Sequence, residues 1–175
     1  MPMVISLIKI IIWLILLTLA ITALSLAPWV PTKRKDLERI KKIANLKDGD
    51  VFYDLGCGDG RVTSYISKNP KITTVGIELA IPFYFICKLR ELFNTEGNLN
   101  FKLKSLFQED LSDANIVYIF AANSKKMSGK LVEKLERELK PGTKVISYAF
   151  PIKEWSPKKI DQTNKKDIAI YLYEK

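Results

Sequence analysis

The side chains best placed to do chemistry gather in one octapeptide, Asp54-Leu55-Gly56-Cys57-Gly58-Asp59-Gly60-Arg61. With glycine at every second position no Cβ intrudes, so such a loop lets its backbone close on a ligand. A dinucleotide fingerprint has the spacing G-x-G-x-x-G, with pyrophosphate on the following helix. Here Arg61 stands where its third glycine would be, and the pattern is D-x-G-x-G-x-G with a carboxylate just before the loop. A carboxylate there repels pyrophosphate and attracts an ammonium or sulfonium group. Glu78 lies 22 residues after Gly56, where an acidic side chain at a strand end takes the hydroxyls of a ribose. A ribose without phosphates, joined to a cationic amino-acid tail, describes S-adenosylmethionine.

The composition agrees with methyl transfer. The 175 residues contain no histidine, which excludes Ser-His and Cys-His nucleophile pairs, His-ligated zinc and a histidine general base. Displacement at a sulfonium carbon is in-line and needs alignment and a polar cage more than a base. A lysine ammonium would shed its proton on burial beside the sulfonium cation. Two cysteines build neither a disulfide framework nor a metal site made of four thiolates, and no metal site is expected.

The elements that must position these residues alternate. Residues 51–55 read as a buried strand leading into the loop, 61–67 as the helix leaving it, and 73–79 as the strand that ends on Glu78. A helix over 82–93 opens on proline. Strands at 99–103 and 115–120, a helix over 127–139 closed by Pro141-Gly142, and a strand at 143–148 follow. Upstream, 35–44 is a helix with Leu37, Ile40 and Ile43 at helical spacing. Downstream, 159–163 and 168–173 form a hairpin around 164–166. The fold class is α/β: a Rossmann-like, mostly parallel sheet with an antiparallel C-terminal hairpin, occupying residues 31–175.

From Ile10 to Pro28 there is no charged residue. Residues 1–30 read as an N-terminal transmembrane anchor, because such a helix reaches across roughly 30 Å of hydrocarbon. A signal peptide cut near Ala23, Ser25 or Ala27, and a buried core helix, are the alternatives. Lys33, Arg34, Lys35, Arg39, Lys41 and Lys42 follow the apolar run, while Lys9 precedes it, which puts the domain on the cytoplasmic side. With no Arg/Ser-rich transit segment ahead of the run, the expected location is a prokaryotic plasma membrane. The net charge of +9 then reads as attraction to an anionic leaflet rather than to nucleic acid.

Over residues 31–175 the chain resembles the class I, seven-strand methyltransferases. Within them it is similar to the membrane-linked protein-lysine methyltransferases that act on ATP synthase and on the adenine nucleotide translocase, and to their prokaryotic relatives. The resemblance is carried by Pro28-Trp29-Val30-Pro31-Thr32, Tyr53 to Arg61, Val75-Gly76-Ile77-Glu78-Leu79, Leu135-Glu136-Arg137-Glu138-Leu139-Lys140-Pro141-Gly142, and Phe150-Pro151 with Trp155. It implies that Asp54, Gly56, Cys57, Gly58 and Gly60 hold the methionine end of S-adenosylmethionine. Glu78 would hold the ribose, Ser105 and Leu106 would border the adenine, and Leu79 would also lie against the cofactor. Relatives often carry an acid where Ser105 stands, so Asp110 or backbone groups would share that task. The loop Ala121-Ala122-Asn123-Ser124 would face the methyl group, with Asn123 orienting the incoming amine. It lacks the N-P-P-Y-type sequence of base and glutamine methylation. The substrate implied is a protein near the membrane.

Plainer readings stand beside these. Asp54 could cap the following helix, and Glu78 could be a surface charge. Cys57 fits as a small loop residue and Cys87 as core. Phe83, Tyr84 and Phe85 could be core, membrane-facing surface or a substrate lip. Trp155 could line the cleft or close the fold. A methyltransferase of a lipid or small amphiphile, and an inactive cofactor-binding adaptor, are the competing functions.

Overall fold

A computed structural model describes residues 2–25, 30–94, 97–120 and 124–175, with side chains described at 4–17, 20, 30–94, 97–120 and 129–175. Helix α1 is Pro2–Ser25 and α2 is Leu37–Ala44, entered through a 3₁₀ turn at Arg34–Asp36. Then come β1 Val51–Leu55, α3 Arg61–Ile66, β2 Thr73–Glu78, α4 Ile81–Leu92 and β3 Asn98–Leu103. A second 3₁₀ turn spans Leu106–Gln108. The chain continues with β4 Ile116–Ile119, α5 Ser124–Glu138, β5 Lys144–Tyr148, β6 Lys159–Asp161 and β7 Ile170–Glu174.

The seven strands form one sheet in the order β3-β2-β1-β4-β5-β7-β6. The first five run parallel; β7 is antiparallel to both β5 and β6. The α/β class is therefore as expected, and the hairpin is inserted so that its second strand meets the parallel sheet. Successive side chains of a strand point to opposite faces, which splits the core in two. Phe52, Ile116, Tyr118, Ile146 and Tyr148 pack under α2 and α3. Tyr53, Leu55, Val117, Ile119 and Val145 pack under α5. Helix α4 closes the edge by setting Cys87 against Phe101 of β3 and Cys57 of the loop.

The N-terminal reading is corrected. Among the described residues no helix is long and apolar enough to cross a membrane. The transmembrane anchor at 1–30, the single-pass membrane location and the membrane as partner accordingly have no structural support. The buried-helix alternative does not describe α1 either, since its apolar side chains from Val4 to Leu17 are exposed.

Two aromatic expectations also resolve. Phe85 is exposed, while Tyr84 packs beside Cys57, Cys87 and Phe101. Trp155 closes the fold: its ring meets Tyr173 at 5.9 Å, edge to face, and its Nε1 donates to Glu136 at 3.1 Å. Tyr173 lies opposite Val145, near the start of β5 and away from the carboxyl ends of the parallel strands.

Candidate active site

In an open parallel sheet, ligands bind beyond the carboxyl ends of the strands, where the strand order reverses. Here that switch lies between β1 and β4, and the loop 56–60 leaves β1 at that point. Gly56 and Cys57 both donate their N–H to the carbonyl of Ile77 at 2.9 Å, folding the loop back over β2. Gly56, Gly58 and Gly60 have φ of 77°, 57° and 73°, a left-handed conformation that side chains with a Cβ resist. A Cβ built on Gly56 would meet nothing within 4 Å among the described residues. The glycine is thus not demanded by packing; it leaves an open cradle, as a ligand held by backbone groups requires. Gly76 is the opposite case. A Cβ there would lie 2.5 Å from the Phe101 ring and 3.0 Å from the Cys57 sulfur, so this glycine lets the loop seat on the sheet.

Glu78 acts first as a clasp. Its Oε2 accepts the Gly58 N–H at 2.8 Å, and Oε1 accepts those of Leu79 at 2.9 Å and Ala80 at 2.7 Å. Burial pushes its pKa up, and the three backbone bonds pull against that shift. A carboxylate oxygen offers two acceptor positions. Oε1 is therefore filled, and Oε2 keeps one position, enough for a single ribose hydroxyl rather than both. The surface-charge alternative fails, because Glu78 is buried.

Asp54 is also buried and turns toward α3. Its Oδ2 accepts the Thr63 hydroxyl at 2.7 Å. Burial pushes its carboxyl up to about 7; bonds from the Thr63 side chain and backbone oppose that, and the charges of Glu78 and Asp59 add to it. The N-cap of α3 is Gly60, and Asp54 reaches this helix through the Thr63 side chain. It can shape the loop's exit through Thr63.

Other predicted residues are satisfied locally. Ser105 Oγ accepts the Phe107 N–H at 3.3 Å and starts the 3₁₀ turn, and Leu106 is buried in the α5-side core. Leu79 is partly exposed. Asp110 spends both oxygens on Ser112, at 2.9 and 3.0 Å. The Cys57 and Cys87 sulfurs lie 3.8 Å apart, both buried. Asn123, with Ala121 and Ala122, lies outside the described residues. No group of three or more acidic or cysteine side chains among the described residues could hold a metal ion.

A second layer escaped sequence reasoning. Asp59 is gripped by Arg61, Nε to Oδ1 at 2.9 Å and Nη2 to Oδ2 at 2.9 Å, and by Arg90 at 3.2 Å. Partial burial raises the Asp59 pKa, but the two guanidinium groups outweigh it and hold the carboxyl below its usual range. Arg61 also donates to the Thr32 carbonyl at 3.0 Å. Thr32 shares a hydrogen bond of 2.8 Å with the Tyr118 hydroxyl, and the Tyr148 hydroxyl donates to Asp36 at 2.6 Å. The segment before α2 is thereby strapped to the loop and to the ends of β4 and β5. The available signal was Tyr118 and Tyr148 themselves, since a buried phenol needs a partner for its hydroxyl.

Beyond those strand ends stands a row of rings. Phe120 meets Tyr148 edge to face at 4.7 Å and lies nearly parallel to Phe150 at 6.4 Å. Between Tyr148 and Phe150, Ala149 has φ of 71°.

The profile of the ANTKMT methyltransferase domain matches residues 54–159. A protein-lysine N-methyltransferase of Saccharolobus islandicus (strain REY15A) is 35% identical over 155 residues, covering 83% of this chain and 92% of that one. The human lysine N-methyltransferase of the ATP synthase C-subunit is 31% identical over 131 residues, 74% of this chain and 54% of that protein, so the chain spans about half its length. Among solved structures, an RNA methyltransferase from Salinibacter ruber, in complex with S-adenosyl-L-homocysteine, superposes with a TM-score of 0.74 at 27% identity, covering 83% of this chain and 93% of that one. The open glycine cradle at a sheet's switch point, the clasped acid ending β2 and these matches converge: the chain belongs to the ANTKMT methyltransferase domain family and is an S-adenosylmethionine-dependent methyltransferase.

Proposed function

We propose that the chain methylates the ε-amino group of a protein lysine. The observation that carries this reading is the 35% identity to a protein-lysine N-methyltransferase along 92% of that protein's length. The site chemistry supports it. S-adenosylmethionine supplies an electrophilic methyl group on a sulfonium. An amine that arrives neutral can take that methyl without a base, and the chain has no histidine to serve as one.

In this reading Gly56, Gly58 and Gly60 admit the methionine end against their backbone. Glu78 accepts one ribose hydroxyl on Oε2, and Leu79, Ser105 and Leu106 border the adenine. Cys57 contributes through its backbone. Asp54 is a positioning residue, setting the loop's exit through Thr63, and Asn123 orients the amine.

One observation favours a second substrate class. The Salinibacter ruber protein is titled an RNA methyltransferase, and the present chain carries +9, a charge suited to phosphates. The full chain, methyl-labelled S-adenosylmethionine and an extract of the source cells separate the two. Protease-sensitive label that hydrolyses to methyl-lysine is the expected result. Ribonuclease-sensitive label, or label that partitions into organic solvent, overturns the proposal.

A further inference from the structure

We propose that Phe120 and Phe150 form the wall along which the substrate amine reaches the methyl group, stripping its water so that it arrives uncharged. This inference rests on the lysine reading above and names the residues that select the neutral amine.

The first observation is position. The crevice opens between β1 and β4, and Phe120 is the residue that follows β4. The register Ile119↔Ser147 sets Tyr148 beside it on β5. The rings of Phe120, Tyr148 and Phe150 therefore stand at the carboxyl edge, beside the switch point.

The second is how firmly the row is held. Tyr148 is fully buried, and its hydroxyl is engaged by Asp36 at 2.6 Å and by the Lys33 N–H at 3.4 Å. Ala149 keeps a left-handed φ that disfavours a residue with a Cβ. Two bonds impose it: the Ala149 N–H to the Ala169 carbonyl at 2.9 Å, and the Ser147 hydroxyl to the Phe150 carbonyl at 2.5 Å. Strain maintained in this way clusters where a side chain must be aimed, and the chain it bends delivers Phe150 onto Phe120. Both phenylalanines are half-buried.

The third is chemical. The carboxylates of the loop and its flanks already have partners, Asp54 in Thr63, Asp59 in Arg61 and Arg90, and Glu78 in three backbone N–H groups. A lysine ammonium with its ordinary pKa of about 10.4 is neutral in only about one molecule in a thousand at pH 7.5. An apolar wall disfavours the charged form and lowers that pKa. The proton passes to water as the amine is desolvated; the nitrogen lone pair then forms the N–C bond while the S–C bond breaks.

The test uses the full chain at saturating S-adenosylmethionine. Its readout is the initial rate of methyl-lysine formation on the ribonuclease-treated protein fraction of a cell extract, from pH 7 to 9.5. Phe150→Ala should bind S-adenosylmethionine within about twofold of the parent by calorimetry. If the bound amine's pKa rises from about 8.4 to about 9.4, the variant is about ninefold slower at pH 7.5 and within about twofold at pH 9.5. Phe150→Leu, which keeps an apolar surface, should follow the parent profile and covers the case in which the alanine variant does not fold. A parent profile in Phe150→Ala, an equal loss at both pH values, or a Phe150→Leu profile displaced like that of Phe150→Ala overturns the wall. A parent that binds S-adenosylmethionine but forms no methyl-lysine overturns the lysine reading instead, and the wall with it.

Discussion

Replacing Asp54 by asparagine removes a charge that burial disfavours and keeps an oxygen for the Thr63 hydroxyl 2.7 Å away. The carboxyl is pushed from 3.8 to about 7, chiefly by burial. Between about pH 4 and pH 7 the native state therefore holds a proton that the unfolded chain has released. Stability rises with pH only where the unfolded state binds more protons, so here it must fall. A shift of about three units at about 1.4 kcal/mol each amounts to about 4 kcal/mol, fully present below pH 4 and lost by pH 7 to 8. Against a total of about 5–15 kcal/mol for a domain, that is a large share. Glu78 is shifted in the same direction, whereas Asp59, Glu109 and Glu138 are held low and lose their contribution only in acid. All four are common to both proteins and cancel in the difference. Urea unfolding followed by circular dichroism, in half-unit steps from pH 4 to 8, should show Asp54→Asn gaining about 4 kcal/mol on the parent across the range. A difference that stays constant within about 1 kcal/mol refutes the buried, protonated carboxyl.

Three further outcomes follow from the loop and its supports. Gly76→Ala drives a Cβ to 2.5 Å from Phe101 and should cost about 1–3 kcal/mol, whereas Gly56→Ala should cost only its backbone strain of about 1–2 kcal/mol yet weaken S-adenosylmethionine binding more than tenfold. Calorimetry and thermal melts on the pair decide this, and equal binding by Gly56→Ala and the parent would show that the cradle is empty by accident. Glu78→Gln must turn an amide N–H₂ toward one of three N–H donors, so its melting temperature should drop by an amount equivalent to about 1–3 kcal/mol, together with cofactor affinity. Arg61→Lys loses the forked grip on Asp59 and the bond to Thr32; hydrogen exchange at residues 32–36 should speed up at least tenfold, and unchanged protection would mean that the strap holds without it.

Much of this was readable in advance because its signals are local. Phe52 and Tyr53 are adjacent apolar residues serving opposite faces, so a short buried strand was the economical reading of 51–55. The glycine spacing marked the loop that leaves β1, though not the left-handed backbone its glycines adopt. The site's internal wiring was not readable. Glu78 is clasped by its own successors, Leu79 and Ala80, and that depends on how the chain leaves β2. Asp54 finds its partner nine residues on, where Thr63 carries no distinguishing pattern. Thr32 and Tyr118, and Lys33 and Tyr148, are separated by 86 and 115 residues, and only the finished sheet brings them together. A hairpin pattern tells which two strands pair but not which of them joins the existing sheet. Continuous hydropathy at 10–28 suggested a membrane span, but among the described residues no helix is long and apolar enough to be one.

The clasp made by Glu78 has a consequence for how such chains change over generations. A carboxylate that closes its own loop is retained by selection for folding alone, whether or not catalysis still matters. An acid at the end of β2 is therefore a poor witness to activity in any descendant. Gly56 is the better one: filling its position clashes with no described neighbour, so beyond a backbone strain of about 1–2 kcal/mol only a ligand asks for it.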